Sequence, residues 1–352
     1  MASITLDQIS FSYPGTKEPV LKDLSLQIED GTTHALLGAS GAGKTTLLNL
    51  LSGLLTPSSG DLRFGDKCVS AVGARGRNVA LVFQFPVLYE TKTVLENLVF
   101  PLLNRGWKEK EARSRAYEVA QELELADVLQ KRPADLSLYQ KQLTAIAKSL
   151  VRTNVDLVLL DEPLTAVEPA MKWRLRQRLS RFQAEHGLTM IYVTHDQTEA
   201  LTFASQVSVL SNGRILQTGT PEEIYNHPVD RFVGDFIGSP GMRFLPTSRL
   251  NSDPSRLGLS FSQPPETGTS TFLGLRAEWL TPQRSAHGIW ELVSKRLLGT
   301  DGGQEKSLLA FHSGDLELLV EGLGTWREGD RANLTVSRYA LLPAETTAIA
   351  SV

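Results

Sequence analysis

Gly38-Ala39-Ser40-Gly41-Ala42-Gly43-Lys44-Thr45-Thr46 is the stretch on which the reading of this 352-residue chain turns. Ala35-Leu36-Leu37 precedes it and Leu47-Leu48-Asn49-Leu50-Leu51 follows. An apolar strand, a glycine loop and then a helix is the order that a phosphate-binding loop requires. Gly38, Gly41 and Gly43 let the backbone curl until several N–H groups face one anion. A helix beginning at Lys44 adds the positive end of its dipole. Lys44 has the reach for β- and γ-phosphates, and the Thr45 hydroxyl suits Mg²⁺. Ser40 and Thr46 join the same set of nucleotide contacts.

Outward from the loop, the same sheet edge gathers more polar groups. Asn78-Val79-Ala80-Leu81-Val82-Phe83 is a continuous apolar run, read as a strand covered on both faces, and Gln84 follows it. Val155-Asp156-Leu157-Val158-Leu159-Leu160 is a second such strand, ending in Asp161 and Glu162. Thr189-Met190-Ile191-Tyr192-Val193 is a third, ending in Thr194-His195-Asp196. Ligands of open parallel sheets sit beyond the carboxyl ends of the strands. Gln84 is thereby placed for a metal or a water. Successive strand residues face opposite ways, so Asp161 and Glu162 divide the work: one joins the Mg²⁺ shell, the other serves as base for water. His195 has the address of a γ-phosphate contact. Upstream, Phe11-Ser12-Tyr13-Pro14-Gly15 is a turn with aromatics. Tyr13 there is either a stacking platform for a purine or a small core contact.

The remaining chain supplies the frame. Residues 3–11 and 24–28 alternate as half-buried strands do. Leu47 to Leu55 is apolar on nearly all sides and reads as a deeply buried helix ending at Thr56-Pro57. Residues 93–152 read as helical, with a capped start at Thr93, a charged amphipathic helix over Lys108–Leu129, and a buried stripe of Leu143, Ile146, Ala147, Leu150 and Val151. The arginines of 170–186 read as an ordinary solvated face. Ser239-Pro240-Gly241 and Pro246 to Pro254 read as a linker. Past it, short alternating strands at 271–275, 316–320 and 333–336, with turns at Gly302-Gly303 and Ser313-Gly314-Asp315, predict a small β-barrel-like domain. The expected division is 1–240, with a helical subdomain near 90–152, and 241–352.

Composition narrows the function classes. The net charge is −3, without the basic domain that marks nucleic-acid binders. The single cysteine, Cys68, excludes an internal disulfide and fits a reducing compartment. The N-terminus has no signal-peptide pattern, and no apolar run approaches the 18 or so residues of a membrane span. Any membrane connection is expected to go through a partner.

Together these segments resemble the ATPase subunits of ABC transporters, in particular the maltose-type carbohydrate importers. Gly38–Thr45 looks like the Walker A loop, Gln84 the Q-loop glutamine, Leu157–Glu162 the Walker B strand with its catalytic glutamate, and His195 the switch histidine. Phe236-Ile237-Gly238-Ser239-Pro240 and Leu275-Arg276-Ala277-Glu278 resemble pieces of the carbohydrate-importer subgroup. The fold implied is an α/β P-loop NTPase of the ABC type, with a mixed sheet core and a helical subdomain, followed by a C-terminal β-barrel of the OB or TOBE kind.

The resemblance implies ATP and Mg²⁺ as cofactors and two such subunits closing head-to-tail on two nucleotides. It also implies two transmembrane permease subunits, docked near Gln84 to Glu96, and indirect service of a periplasmic or extracellular binding protein. The expected location is peripheral, on the cytoplasmic face of the inner membrane, with no nucleic-acid partner.

One segment departs from the family. The signature Leu-Ser-Gly-Gly-Gln reads Leu136-Ser137-Leu138-Tyr139-Gln140 here, and Leu143 replaces a later basic residue. The usual Ser-Ala-Leu-Asp loop reads Thr165-Ala166-Val167-Glu168. Both face the partner's nucleotide in the family, with Ser137 and Gln140 as contacts. A heterodimer with a different ATPase subunit is the implied arrangement, with glycerol or another small polyol as first guess for cargo and an oligosaccharide, a glycerol phosphate or an inorganic ion as the alternatives. Two other readings stand beside it: a non-hydrolysing regulatory subunit, and a soluble ABC ATPase acting on DNA or ribosomes.

Overall fold

The computed structural model describes residues 2–165, 167–250, 257–263, 265 and 271–343. They form two compact units, Met1–Pro221 and Glu222–Val352.

In the first unit, β1 (Ile4–Phe11), β2 (Leu21–Ile28), β3 (Thr33–Leu37), α1 (Lys44–Ser52), β4 (Ser59–Phe64) and β5 (Lys67–Cys68) come first. β6 (Val79–Val82), α2 (Val94–Leu103), α3 (Glu109–Glu122), α4 (Leu138–Leu150) and β7 (Leu157–Asp161) follow. The unit closes with α5 (Pro169–His186), β8 (Met190–Thr194), α6 (Gln197–Phe203), β9 (Gln206–Ser211) and β10 (Arg214–Gly219). An antiparallel sheet runs β2-β1-β4-β5, and a six-stranded sheet runs β10-β9-β3-β8-β7-β6. α1 lies between them. Its Leu47, Leu48, Leu50 and Leu51 share one buried cluster with Ile4, Leu6 and Leu62 on one side and with Leu157, Leu159, Ile191 and Val193 on the other. A helix packed from both sides has to be apolar all round.

Register positions the site. In the parallel core, Leu37 pairs Thr194, Asp161 pairs Val193 and Val82 pairs Leu160. The residues after these strand ends, Gly38, His195, Glu162 and Gln84, therefore leave the sheet along one edge.

Several boundaries differ from expectation. α1 stops at Ser52, capped by Gly53 in the left-handed region, before Leu55. The helix expected over 108–129 ends at Glu122, because Glu124 takes a left-handed φ of 54° and a short 3₁₀ turn follows. β6 is an edge strand, so Val79 and Leu81 are only half-buried and Phe83 is exposed.

The second unit begins earlier than the expected 240. Arg276, buried, donates to the Tyr225 carbonyl through Nε (3.0 Å) and Nη2 (2.7 Å), and to the Ile237 carbonyl through Nη1 (2.6 Å). It thereby ties α7 (Pro221–Asn226) and the end of α8 (Arg231–Phe236) to the strand-rich part. Both stretches that carry the subgroup resemblance, 236–240 and 275–278, meet at this one guanidinium. The expected linker is also structured in part: β11 (Arg243–Pro246) and a 3₁₀ turn at Thr247–Arg249 occupy its start. Residues 251–254 of it lie outside the described residues.

β12 (Leu259–Phe261), β13 (Thr271–Leu275), β14 (Leu280–Arg284), β15 (Trp290–Asp301), β16 (Gln304–Ser313), β17 (Leu316–Leu323), β18 (Arg331–Val336) and β19 (Ala340–Pro343) complete the unit. They form the sheets β11-β13-β19 and β12-β18-β15-β16-β17, with β14 paired to β18. The core is built on Trp290, Leu309, Phe311 and Trp326.

Candidate functional site

The phosphate loop is built for a ligand that backbone can approach closely. Gly43, at φ 104°, starts α1 without any side-chain cap. A Cβ there would lie 2.8 Å from Leu21 Cδ2, and one on Gly38 would lie 2.3 Å from the Leu210 carbonyl oxygen. Neither position accepts a side chain. Lys44 is buried, and its Nζ donates to the carbonyls of Gly38 (2.7 Å) and Ala39 (2.9 Å). The ammonium is thus held over the loop by the loop itself.

A cavity of about 720 Å³ opens there, lined by Val20, Ala39, Ser40, Gly41, Gly43, Lys44, Thr45, Thr46, Gln84, Glu162 and His195. That volume suits a nucleotide-sized ligand. The strand-end residues converge on one carboxylate. His195 Nδ1 faces Glu162 Oε1 at 2.9 Å, Thr165 Oγ1 donates to Glu162 Oε2 at 3.1 Å, and Gln84 Nε2 donates to the same oxygen at 3.4 Å. Glu162 holds a left-handed φ of 43°, pinned by its N–H on the Val193 carbonyl (2.9 Å). Such a backbone persists only where neighbours over-determine it, and it concentrates at working sites.

Asp161 is half-buried and does not line the cavity. Burial, then the adjacent Glu162 charge, raises its carboxyl, and Lys44 opposes them. Burial lowers the Lys44 ammonium, against the pull of Glu162 and Asp161. The charges are close enough to act on one another.

Of the two readings given to Tyr13, the structure shows the packing contact. Its ring meets Phe11 edge-on at 4.9 Å, and its hydroxyl shares a 3.3 Å hydrogen bond with the cavity-lining Thr46 Oγ1. It stays 39% exposed. Ser137 and Gln140 do not line the cavity. They cap α4: Ser137 Oγ accepts from the Gln140 N–H (3.2 Å) and Gln140 Oε1 accepts from the Ser137 N–H (3.0 Å). Between them Leu138 points outward, 49% exposed. Tyr139 turns inward instead, its ring 5.7 Å from the Arg178 guanidinium, which is paired with Glu124. Ala166, in the altered loop after Glu162, lies outside the described residues.

Sequence reasoning missed Thr165 and Val20 as site residues, and missed the pair Glu199 and Lys172 bonded to the Thr194 that precedes His195. A threonine in a turn and an acidic residue in a short helix carry no distinguishing signal. The arginines of α5 also do more than face solvent: Arg178 and Arg176 reach the Leu123 and Thr198 carbonyls.

A glycine loop opening a buried helix, with glutamate, histidine and glutamine gathered on it from parallel strand ends, is the ATP-binding cassette of ABC transporters. The ABC transporter family model matches residues 21–165. The sn-glycerol-3-phosphate import ATP-binding protein UgpC of Yersinia pestis bv. Antiqua is 37% identical over 86% of this chain and 86% of its own length. The maltose/maltodextrin import ATP-binding protein MalK of the same organism is 38% identical over 81% of this chain and 80% of its own. Among solved structures, cbiO1 from Clostridium perfringens, part of the ABC transporter complex cbiONQ, superposes with a TM-score of 0.59 at 28% identity, over 63% of this chain and 89% of that one. A dimeric post-hydrolysis structure of the cassette MJ0796 with ADP and phosphate gives 0.55 at 28% identity, over 62% and 98%.

The chain belongs to the ATP-binding subunits of ABC transporters, and within them to those of importers. It is an ATPase that works with transmembrane permease components. Among the described residues no helix is long and apolar enough to cross a membrane.

Proposed function

We propose that this chain powers uptake of a small polyol or carbohydrate by hydrolysing ATP at the site around Glu162. The observation that carries the reading is the convergence of His195, Gln84 and Thr165 on the Glu162 carboxylate at the mouth of the phosphate loop. Gly38, Ser40, Gly41, Gly43, Lys44, Thr45 and Thr46 wrap the phosphates, and Tyr13 borders the base. Glu162 takes a proton from water as its oxygen attacks the γ-phosphorus and the bond to the β-phosphate oxygen breaks. His195 holds Glu162 and meets the γ-phosphate.

Mg²⁺ fits the donors present. Thr45 hydroxyl, Gln84 amide oxygen and Asp161 carboxylate are hard oxygen ligands, and the Gln84 amide spends its N–H on Glu162, leaving its oxygen for a cation. Few protein ligands are needed, since Mg²⁺ keeps waters and binds phosphate oxygens. When bound, the ion neutralises charge developing on the phosphates.

The second subunit of the dimer is a different ATPase chain. Support comes from α4, whose exposed Leu138 stands where the family places glycine against the opposing nucleotide. Permease subunits dock beside Gln84, where Phe83, Phe85, Val87 and Tyr89 expose a run of apolar surface. Such a patch marks an interaction site. The chain then lies peripherally on the cytoplasmic face of the inner membrane. Glycerol is the first cargo to try. Glycerol phosphate and maltodextrins, named for the relatives, come next.

The test is co-purification from membranes with the permease subunits, followed by ATP turnover with each cargo in proteoliposomes. A complex holding two copies of this chain and no second ATPase overturns the heterodimer. Turnover that ignores every polyol and sugar overturns the cargo.

A further inference from the structure

His195 is exposed, yet the residues on either side of it are tied down. Thr194, at the end of β8, is buried, and its hydroxyl donates to Glu199 Oε2 at 3.1 Å. The Asp196 N–H donates to Thr194 Oγ1 (2.9 Å), and the Asp196 carboxylate caps α6 by accepting from the N–H groups of Thr198 (2.8 Å) and Glu199 (3.2 Å). Glu199 is itself buried, at 2% exposure. Besides Thr194 it accepts from the Tyr192 phenol (2.8 Å) and from Lys172 Nζ (2.8 Å). Burial and the Glu199 charge hold the Tyr192 phenol protonated well above its usual range, so it remains a donor. Lys172 sits in the first turn of α5, directly after the Thr165–Glu168 loop, and its N–H bonds the Glu168 carbonyl (3.2 Å).

A buried carboxylate paired with a half-buried ammonium contributes little net stability compared with apolar packing of the same volume. Its presence here needs another reason. We propose that Glu199 is a positioning residue of the hydrolytic site: it fixes Thr194 and, through Lys172, the start of α5, so that His195 reaches Glu162 from one backbone position. Glu199 touches neither nucleotide nor Glu162. It acts by removing freedom from the loop that carries the imidazole, which then moves only about its own side-chain torsions. Because the same carboxylate holds Lys172, the loop after Glu162 and the loop bearing His195 are referred to one anchor.

The experiment measures kcat and KM for ATP with the full chain in its membrane complex, alongside nucleotide affinity and Tm of the isolated chain. Glu199→Gln keeps the size and removes the charge. Thr194→Val keeps the shape and removes only the hydroxyl joining Glu199 to the loop. Both are expected to lower kcat by roughly tenfold, the lower end for lost supporting contacts, with KM and affinity within about twofold. Lys172→Arg should retain most activity where Lys172→Met does not. An unchanged kcat in Glu199→Gln and Thr194→Val overturns the proposal. So does a fall in affinity and Tm that matches the fall in kcat, which is general loosening. Should Glu199→Gln not fold, Thr194→Val decides alone.

Discussion

At the start of α1, Gly43 leaves the first N–H groups uncapped and brings Lys44 over a cavity; at the start of α4, Ser137 and Gln140 cap each other's backbone and Leu138 stands outside. Both helix starts have a positive dipole end. Only α1 is left without a partner of its own, and it is also the buried one. An uncapped, buried helix start needs something from outside to satisfy it. A capping box needs nothing: α2 has the same device, Thr93 with Glu96. The contrast separates a helix start open to a ligand from one whose first turn is complete in itself.

The largest effect expected from breaking this contrast lies at the carboxylate facing α1. Glu162→Gln removes the proposed base and leaves the loop intact. Turnover should fall by roughly 10²–10⁴, while ATP stays bound. Phosphate release measured beside retention of radiolabelled ATP tests it; a variant that releases phosphate at the parental rate assigns the base elsewhere. Lys44→Ala acts on the loop itself. Charged hydrogen bonds contribute about 1.5–3 kcal/mol each, so affinity for ATP should weaken by about 10- to 100-fold. Titration with a fluorescent nucleotide reads this directly, and unchanged binding would mean that the α1 start is not the phosphate site.

The asymmetry between these helices was half-legible beforehand. Gly38, Gly43, Lys44 and the apolar flanks specify backbone conformation and local order, which are properties of contiguous residues. Asp161, Glu162 and His195 were readable because each ends a buried parallel strand, and register brings such ends to one edge. Leu138 and Tyr139 were visibly unlike glycine, but their opposite directions were not visible. That depends on Arg178 and Glu124, which are distant in sequence from Tyr139. The long-range partners of Glu199 escaped for the same reason. So did the division of the chain, since Arg276 reaches back to Tyr225 and Ile237 across segments that look like a linker.

Tyr139 gives an intermediate test. Its ring packs beneath Arg178, and its hydroxyl is buried with no hydrogen-bond partner among the described residues. Tyr139→Gly introduces glycine in a helix and loses the ring, together about 2 kcal/mol of stability. Tyr139→Phe removes only the unsatisfied hydroxyl and should be neutral or slightly stabilising. Thermal denaturation of both variants compares them. A Tm for Tyr139→Phe as low as for Tyr139→Gly would show that the hydroxyl, not the ring, holds α4 to α5.

The smallest effect is the most diagnostic. Ser137→Ala removes the cap of α4, and Thr93→Ala removes the equivalent cap of α2. Each should cost about 1 kcal/mol of stability. If the α4 start is only a completed helix end, the two variants leave ATP turnover of the assembled complex alike and nearly unchanged. If Ser137 also touches the nucleotide of an opposing subunit, Ser137→Ala alone slows turnover, because its hydroxyl hydrogen remains free to donate while its oxygen accepts from Gln140. A Ser137→Ala complex slowed well beyond its Thr93→Ala counterpart would therefore dissolve the contrast between the helices and give this chain two working nucleotide contacts instead of one.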